Sequence, residues 1–363
     1  MQGCGGIHPP HRFLASHSEP VFQTAPYGGH TNTMITLDEL RLIHDGFPWF
    51  FPAAAFVFGA CIGSFLNVCI YRIPANKSVV TPGSHCGCGQ PIRWHDNIPI
   101  LSWLLLRGRA RCCGRPFSVR YPAIELLTAL LFLTCALEFG PGKAFCAMLF
   151  VAMLVASSFI DIDHMIIPDR FSIGGAVIGV VLALSVPALH GRIVPPGMDP
   201  TLGFMLASIN AGTDAVLGLF VGSALVLWIG LLAEVVLRKE AMGFGDVKLL
   251  GCIGAFVGWK GAVFSVFGGA ILGVFATLIW LAFRRREPLG SGPTMQPVAP
   301  PAGTCAPTSV EADAPSGEAS PGLMGMPVPF GPMLSAAGLI YMLWAHPWVD
   351  AYFANIGEVL RQL

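Results

Sequence analysis

Along most of this chain apolar residues do not alternate with polar ones. They run on in long blocks, separated by short stretches rich in Arg, Asp, Gly and Pro. A helix needs roughly 17–25 apolar residues to cross the hydrocarbon of a bilayer. Runs near that length occupy 49–70, 122–139, 144–160, 172–189, 214–236, 247–258, 261–283 and 333–348, which predicts about eight transmembrane helices. The run at 247–258 is short, but its glycines at 251, 254 and 258 suit close helix packing. The expected fold class is therefore all-α, a polytopic membrane helical bundle whose solvent is the lipid bilayer.

Composition sharpens this picture. The 363 residues are 54% hydrophobic and 12% charged, against roughly 25% charged in soluble domains. Net charge is zero and by itself says nothing of partners; no nucleic-acid partner is expected. The distribution of charge does speak, because Lys and Arg collect on the cytoplasmic side of membrane proteins. Between the first two runs lie Arg72, Lys77, Arg93, Arg107, Arg109, Arg111, Arg115 and Arg120, opposed only by Asp96. That segment is expected in the cytoplasm. Alternation then places 161–171, 237–246 and 284–332 on the same side, and 140–143 and 190–213 outside as turns poor in basic residues.

The domain plan that follows has five parts. Residues 1–47 are a polar N-terminal tail without the basic and apolar regions of a cleaved signal. Residues 48–121 hold the first span and a small cytoplasmic segment rich in Cys and Arg, and 122–286 form the transmembrane core. Residues 287–327, rich in Pro, Ala, Gly and Ser, read as a disordered cytoplasmic linker. The last span and the C-terminal tail occupy 328–363.

Two acidic motifs abut the apolar runs: Asp161-Ile-Asp163-His-Met-Ile-Ile-Pro-Asp169, and Gly243-Phe-Gly245-Asp246. A charge at membrane depth costs about 2.5 kcal/mol or more, so such an acid is a functional-site hypothesis by default. Peptide hydrolysis by carboxylates needs one ionised group to activate water and one protonated group to donate to the carbonyl oxygen. Asp161 and Asp246 stand at equal depth on one side, where a helix meets water, and are the candidate catalytic pair. Gly243 and Gly245 leave backbone space for an extended substrate. For Asp163 and Asp169 a solvated or capping role is the simpler reading, Asp169 following Pro168 as a helix cap or turn acceptor.

Four separated blocks resemble the type IV prepilin peptidase family. They are Gly59-Ala-Cys-Ile-Gly63-Ser64-Phe65-Leu66-Asn67-Val68 with Tyr71-Arg72-Ile-Pro74; Asn97-Ile-Pro99 with Leu106-Arg107-Gly108, Arg120-Tyr121-Pro122 and Glu125; the two aspartate motifs; and Pro329-Phe330-Gly331-Pro332. The match covers about residues 55 to 345. The resemblance implies a bifunctional bacterial inner-membrane enzyme that cleaves prepilin and pseudopilin leaders after glycine at the cytoplasmic face and then methylates the new N-terminus. It implies S-adenosylmethionine as methyl donor, with residues 48–121 as the methyltransferase part and 122–286 as the peptidase core, and it too falls on Asp161 and Asp246, within the glycine-x-glycine-aspartate intramembrane proteases. It does not say which pilus or secretion system is served.

The family's cytoplasmic segment usually carries two Cys-x-x-Cys knuckles, suited to tetrahedral zinc. Here His85 stands at the first position of the first knuckle and Ala110 at the first position of the second, while Cys86 and Cys112 are added neighbours of Cys88 and Cys113. Cys86, Cys88, Cys112 and Cys113, with His85 as a substitute, supply enough ligands for zinc; reduced, unliganded thiols are the alternative. Two other functions compete with the peptidase. A transporter or ion-binding permease would use Asp161, Asp163 and Asp246 for cations, but few polar residues lie near the span midplanes. A catalytically dead scaffold would leave both aspartate motifs without a role.

Overall fold

The computed structural model describes residues 46–238, 243–284 and 329–362. The expected tail up to residue 45 and the expected linker at 287–327 lie outside the described residues. Nine α-helices follow among those described: α1 (Phe50–Arg72), α2 (Leu101–Leu105), α3 (Arg120–Glu138), α4 (Pro141–His164), α5 (Asp169–Ser185), α6 (Pro200–Leu237), α7 (Phe244–Arg284), α8 (Gly331–Ile340) and α9 (His346–Gln362). A π turn at Tyr341–Ala345 joins α8 to α9. No β-strand occurs among the described residues, so the all-α expectation holds.

Five helices are long and apolar enough to cross a membrane: α1, α3, α4, α6, and α7 as far as Ile279. The other expected runs take different forms. Residues 172–189 yield the 17-residue α5, and 247–258 with 261–283 become two arms of α7 that meet at Gly258, whose φ of 76° and ψ of 176° break the helix. The run at 333–348 continues through α9 to Gln362. One expectation needs correction. The external turn placed at 190–213 is helical from Pro200 onward, because the Asp199 side chain accepts from the N–H groups of Thr201 and Leu202, both at 3.0 Å, and Pro200 supplies a first helical residue with fixed φ. The resulting 38-residue α6 is roughly 57 Å long at 1.5 Å per residue.

Lipid tails are as apolar as Leu, so helices in a bilayer gain by close packing rather than by escape from water. Small residues provide that packing here. A Cβ on Gly63 would lie 2.7 Å from the Glu125 Cα, which brings α1 and α3 backbone to backbone. Gly218 of α6 and Gly254 of α7 cross with each other's carbonyls in contact. Gly175 and Gly179 of α5 face Cys252 and Phe256, and Phe256 stacks on Phe150 of α4 at 4.6 Å. This fully buried centre runs through Phe132, Phe150, Leu154, Ile160, Leu250, Ile253 and Leu334.

These contacts bring the C-terminal ends of α1, α4 and α6 and the N-terminal ends of α3, α5, α7 and α8 to one end of the bundle. Between α1 and α3 a small segment is latched onto this end. Ile100 has a positive φ of 63°, unusual for a β-branched residue. Its N–H donates to Glu125 Oε2 at 2.7 Å, while Asn67 donates to the Tyr121 carbonyl at 3.1 Å.

Candidate active site

Asp161 ends the apolar run of α4 and is 6% exposed; Asp246 sits in the first turn of α7 and is 8% exposed. Their charges are close enough to interact. Both line one cavity of about 990 Å³, open at the end of the bundle where the helix termini collect. Its apolar wall includes Ile73, Phe244 and Phe330, and its polar wall includes Asp169, Arg170 and Lys248. Two aspartates 85 positions apart in sequence thus face the same space, as the paired-acid reading requires.

Local backbone geometry explains their placement. Met165 terminates α4 in a left-handed conformation (φ 53°), its N–H returning to the Asp161 carbonyl at 2.9 Å. The chain then turns through Ile166, Ile167 and Pro168 before α5. Ile167 inserts between two glycines: a Cβ on Gly245 would lie 3.3 Å from it, and one on Gly331 only 3.0 Å. Opposite, the Asp246 N–H donates to the Gly243 carbonyl at 3.1 Å, which sets the acid in the first turn of α7.

The two flanking aspartates are not merely solvated. Asp163 accepts both nitrogens of the Arg120 guanidinium at 2.7 Å each, and the same guanidinium reaches the Phe159 carbonyl at 3.4 Å and covers its ring. Asp169 opens α5 without a side-chain cap bond; instead it pairs with Lys248 at 2.7 Å, two residues beyond Asp246. Neither pairing is visible in sequence, since each joins elements that the fold alone brings together. The last block is also at the site: Gly331 touches Asp161.

The cysteines of the small segment converge as well. One ligand atom each from Cys86, Cys88, Cys112 and Cys113 lies within 4.8 Å of every other, with Cys86 to Cys113 at 3.6 Å and Cys88 to Cys112 at 3.4 Å. A tetrahedron with zinc–sulfur bonds of about 2.3 Å has edges of about 3.8 Å, so the spacing fits. His85 is not of this group; its Nδ1 lies 3.2 Å from the Gly83 carbonyl. Two similar turns carry the thiols, closed by Cys86 N–H to Gln90 O and by Ala110 N–H to Arg115 O, both 2.8 Å. The second turn is one residue longer, which brings in Cys112 where Ala110 offers no ligand. The Cys88 N–H, with the Cys112 and Cys113 thiols, lowers the Cys86 pKa to about 7, while hydrogen bonds to Cys88 and Cys86 raise Cys112 to about 12.

Comparison with known proteins matches residues 57–139 to the bacterial peptidase A24 N-terminal domain and residues 148–278 to the type IV leader peptidase family. A prepilin leader peptidase/N-methyltransferase of Myxococcus xanthus is 36% identical over 359 residues, covering 89% of this chain and 100% of that protein. One of Aeromonas hydrophila is 32% identical, covering 87% of this chain and 98% of its own length. A type 4 prepilin-like proteins leader peptide-processing enzyme of Escherichia coli is 38% identical, covering 58% and 79%. No solved structure matches. A membrane helical bundle with both matched regions in one polypeptide, aligned over nearly the full length of such relatives, belongs to the type IV leader peptidase family of prepilin leader peptidase/N-methyltransferases.

Proposed function

We propose that Asp161 and Asp246 are the hydrolytic pair of this peptidase, removing leaders from type IV prepilins and pseudopilins after a glycine at the cytoplasmic face of a bacterial inner membrane. The observation that carries this reading is their arrival, from separate helices, in one cavity at the end of the bundle. One carboxylate, ionised, takes a proton from water as the water oxygen attacks the scissile carbonyl carbon. The other, protonated, donates to the carbonyl oxygen. When the tetrahedral adduct collapses the C–N bond breaks, the amine leaves with the proton the first carboxylate had taken, and the hydroxyl formed from the carbonyl oxygen returns its proton to the second carboxylate. The cavity admits the water this needs, and its apolar wall of Ile73, Phe244 and Phe330 suits a substrate whose cleavage point adjoins an apolar helix.

Arg72, Arg120, Arg170 and Lys248 lie at the cavity's end of the bundle, which supports a cytoplasmic active site. The family relation favours hydrolysis over cation transport by the same aspartates. The methylation of the new N-terminus uses S-adenosylmethionine as a second substrate. Cys86, Cys88, Cys112 and Cys113 would hold a structural zinc that ties the turns of the small segment together.

The test is leader removal from a co-expressed prepilin, read by product mass. Asp161→Asn and Asp246→Asn should each lower cleavage roughly 10²–10⁴-fold at unchanged membrane levels. Wild-type cleavage by either variant would refute the pair.

A further inference from the structure

The match to the type IV leader peptidase family ends at residue 278, yet Pro329 and Phe330 line the cavity and Gly331 contacts Asp161. The first N–H groups of a helix lack a partner one turn back. Met333 and Leu334 donate to the Phe330 carbonyl at 3.0 and 3.1 Å, and Pro332 has no N–H. The Gly331 N–H stands beside the Asp161 carboxylate. We propose that Gly331 is a positioning residue of the peptidase: its lack of a side chain leaves room for the Asp161 carboxylate in the cavity. This inference rests on the assignment of Asp161 and Asp246 as the hydrolytic pair.

A Cβ on Gly331 would lie 2.7 Å from Asp161 Oδ2, closer than such contacts allow, with Ile167 Cδ1 at 3.0 Å and Asp161 Cγ at 3.3 Å. The strain cannot be relieved by moving α8, because Leu334, fully buried one turn later, lies against Gly269 of α7 with its backbone 3.2 Å from where a Cβ would stand. The group free to give way is the end of the Asp161 side chain. A methyl at this position therefore turns the carboxylate out of place and leaves the bundle intact. Gly338 on the same helix provides the contrast. A Cβ there would meet Ile253 at 3.0 Å, which is packing away from the acids.

The experiment uses the full chain in membranes, with a prepilin from Myxococcus xanthus as peptidase substrate and the leader-free form of the same pilin as methyl acceptor. Gly331→Ala should lower kcat for cleavage by about 10²-fold, the scale of a misplaced catalytic group. KM, methylation and membrane level should stay at wild-type values, and Gly338→Ala should cleave normally. The proposal is overturned if Gly331→Ala cleaves with wild-type kcat, or if cleavage, methylation and membrane level fall together as a packing defect would make them. Should Asp161→Asn or Asp246→Asn cleave normally, the underlying pair fails and this inference with it. If both are inactive while Gly331→Ala is active, this inference alone fails.

Discussion

Four thiols held within 4.8 Å of one another cannot all ionise unless a cation stands among them, and zinc binds thiolate rather than thiol. With Cys86 already lowered to about 7 by the Cys88 N–H and neighbouring thiols, the first ligand is ready near neutral pH. Purified chain should carry about one zinc per polypeptide. Cys86→Ser or Cys113→Ser should lose it and lose methylation, while leader cleavage, conducted in a separate cavity, persists; elemental analysis beside the two activity assays checks this. Zinc at wild-type stoichiometry in both variants would show that these sulfurs are not the ligands. At this scale the sequence was informative wherever chemistry marks a residue type. Asp161 and Asp246 stand out because charge beside an apolar run is costly, and the four cysteines because few residues ligate so strongly. The place of Gly331 was not legible, since a glycine carries no chemistry until its neighbour is known. Arg120 was marked by its basic character and its family-like block but not by its partner, and Lys248 was not singled out.

The elements were legible in kind and less so in extent. Runs ending at 258 and beginning at 261 mark the two arms of α7 correctly, and Gly258 supplies the break between them. The start of α6 was missed, although Asp199-Pro200 is a helix-start signal, because the apolar run in this stretch becomes continuous only from 214. The break itself has a stabilising partner. His190, in the turn after α5, places Nε2 3.1 Å from the Ala255 carbonyl, in the turn of α7 that Gly258 interrupts. A carbonyl can only accept, so Nε2 carries the proton. Burial lowers the His190 pKa from its ordinary 6.5, against smaller opposing effects of the Ala255 carbonyl and Asp214, with Arg192 and Lys143 nearby adding to the lowering. The folded state then binds fewer protons than the unfolded chain, so stability is full above about 6.5 and declines as pH falls below it. The unfolding midpoint in detergent should drop on acidification through this range. His190→Gln keeps a donor without titrating and should flatten the drop; an unchanged acid slope would remove the imidazole from the explanation.

On the scale of the whole molecule, the sequence indicated a membrane bundle with its basic ends gathered on one side, but not how the two matched regions meet. One contact between them joins Arg120, the first residue of α3 in the N-terminal region, to Asp163, two residues beyond Asp161 in the peptidase region. The guanidinium fork engages both carboxylate oxygens and also the Phe159 carbonyl, so it grips the last turn of α4 at two levels. Such bidentate geometry fixes orientation as well as distance. Both partners are partly exposed, at 40% and 27%, which limits the coupling to about 1 kcal/mol, or roughly fivefold in rate. Arg120→Ala and Asp163→Asn should each slow leader cleavage by about that factor and, acting through one contact, should not add when combined. Arg120→Lys, which keeps the charge but loses the fork, should fall between wild type and Arg120→Ala. Cleavage rates for the four chains at matched membrane levels form a double-mutant cycle. Additive losses would mean that the two residues act separately and that the N-terminal region does not steady the end of α4 through this pair.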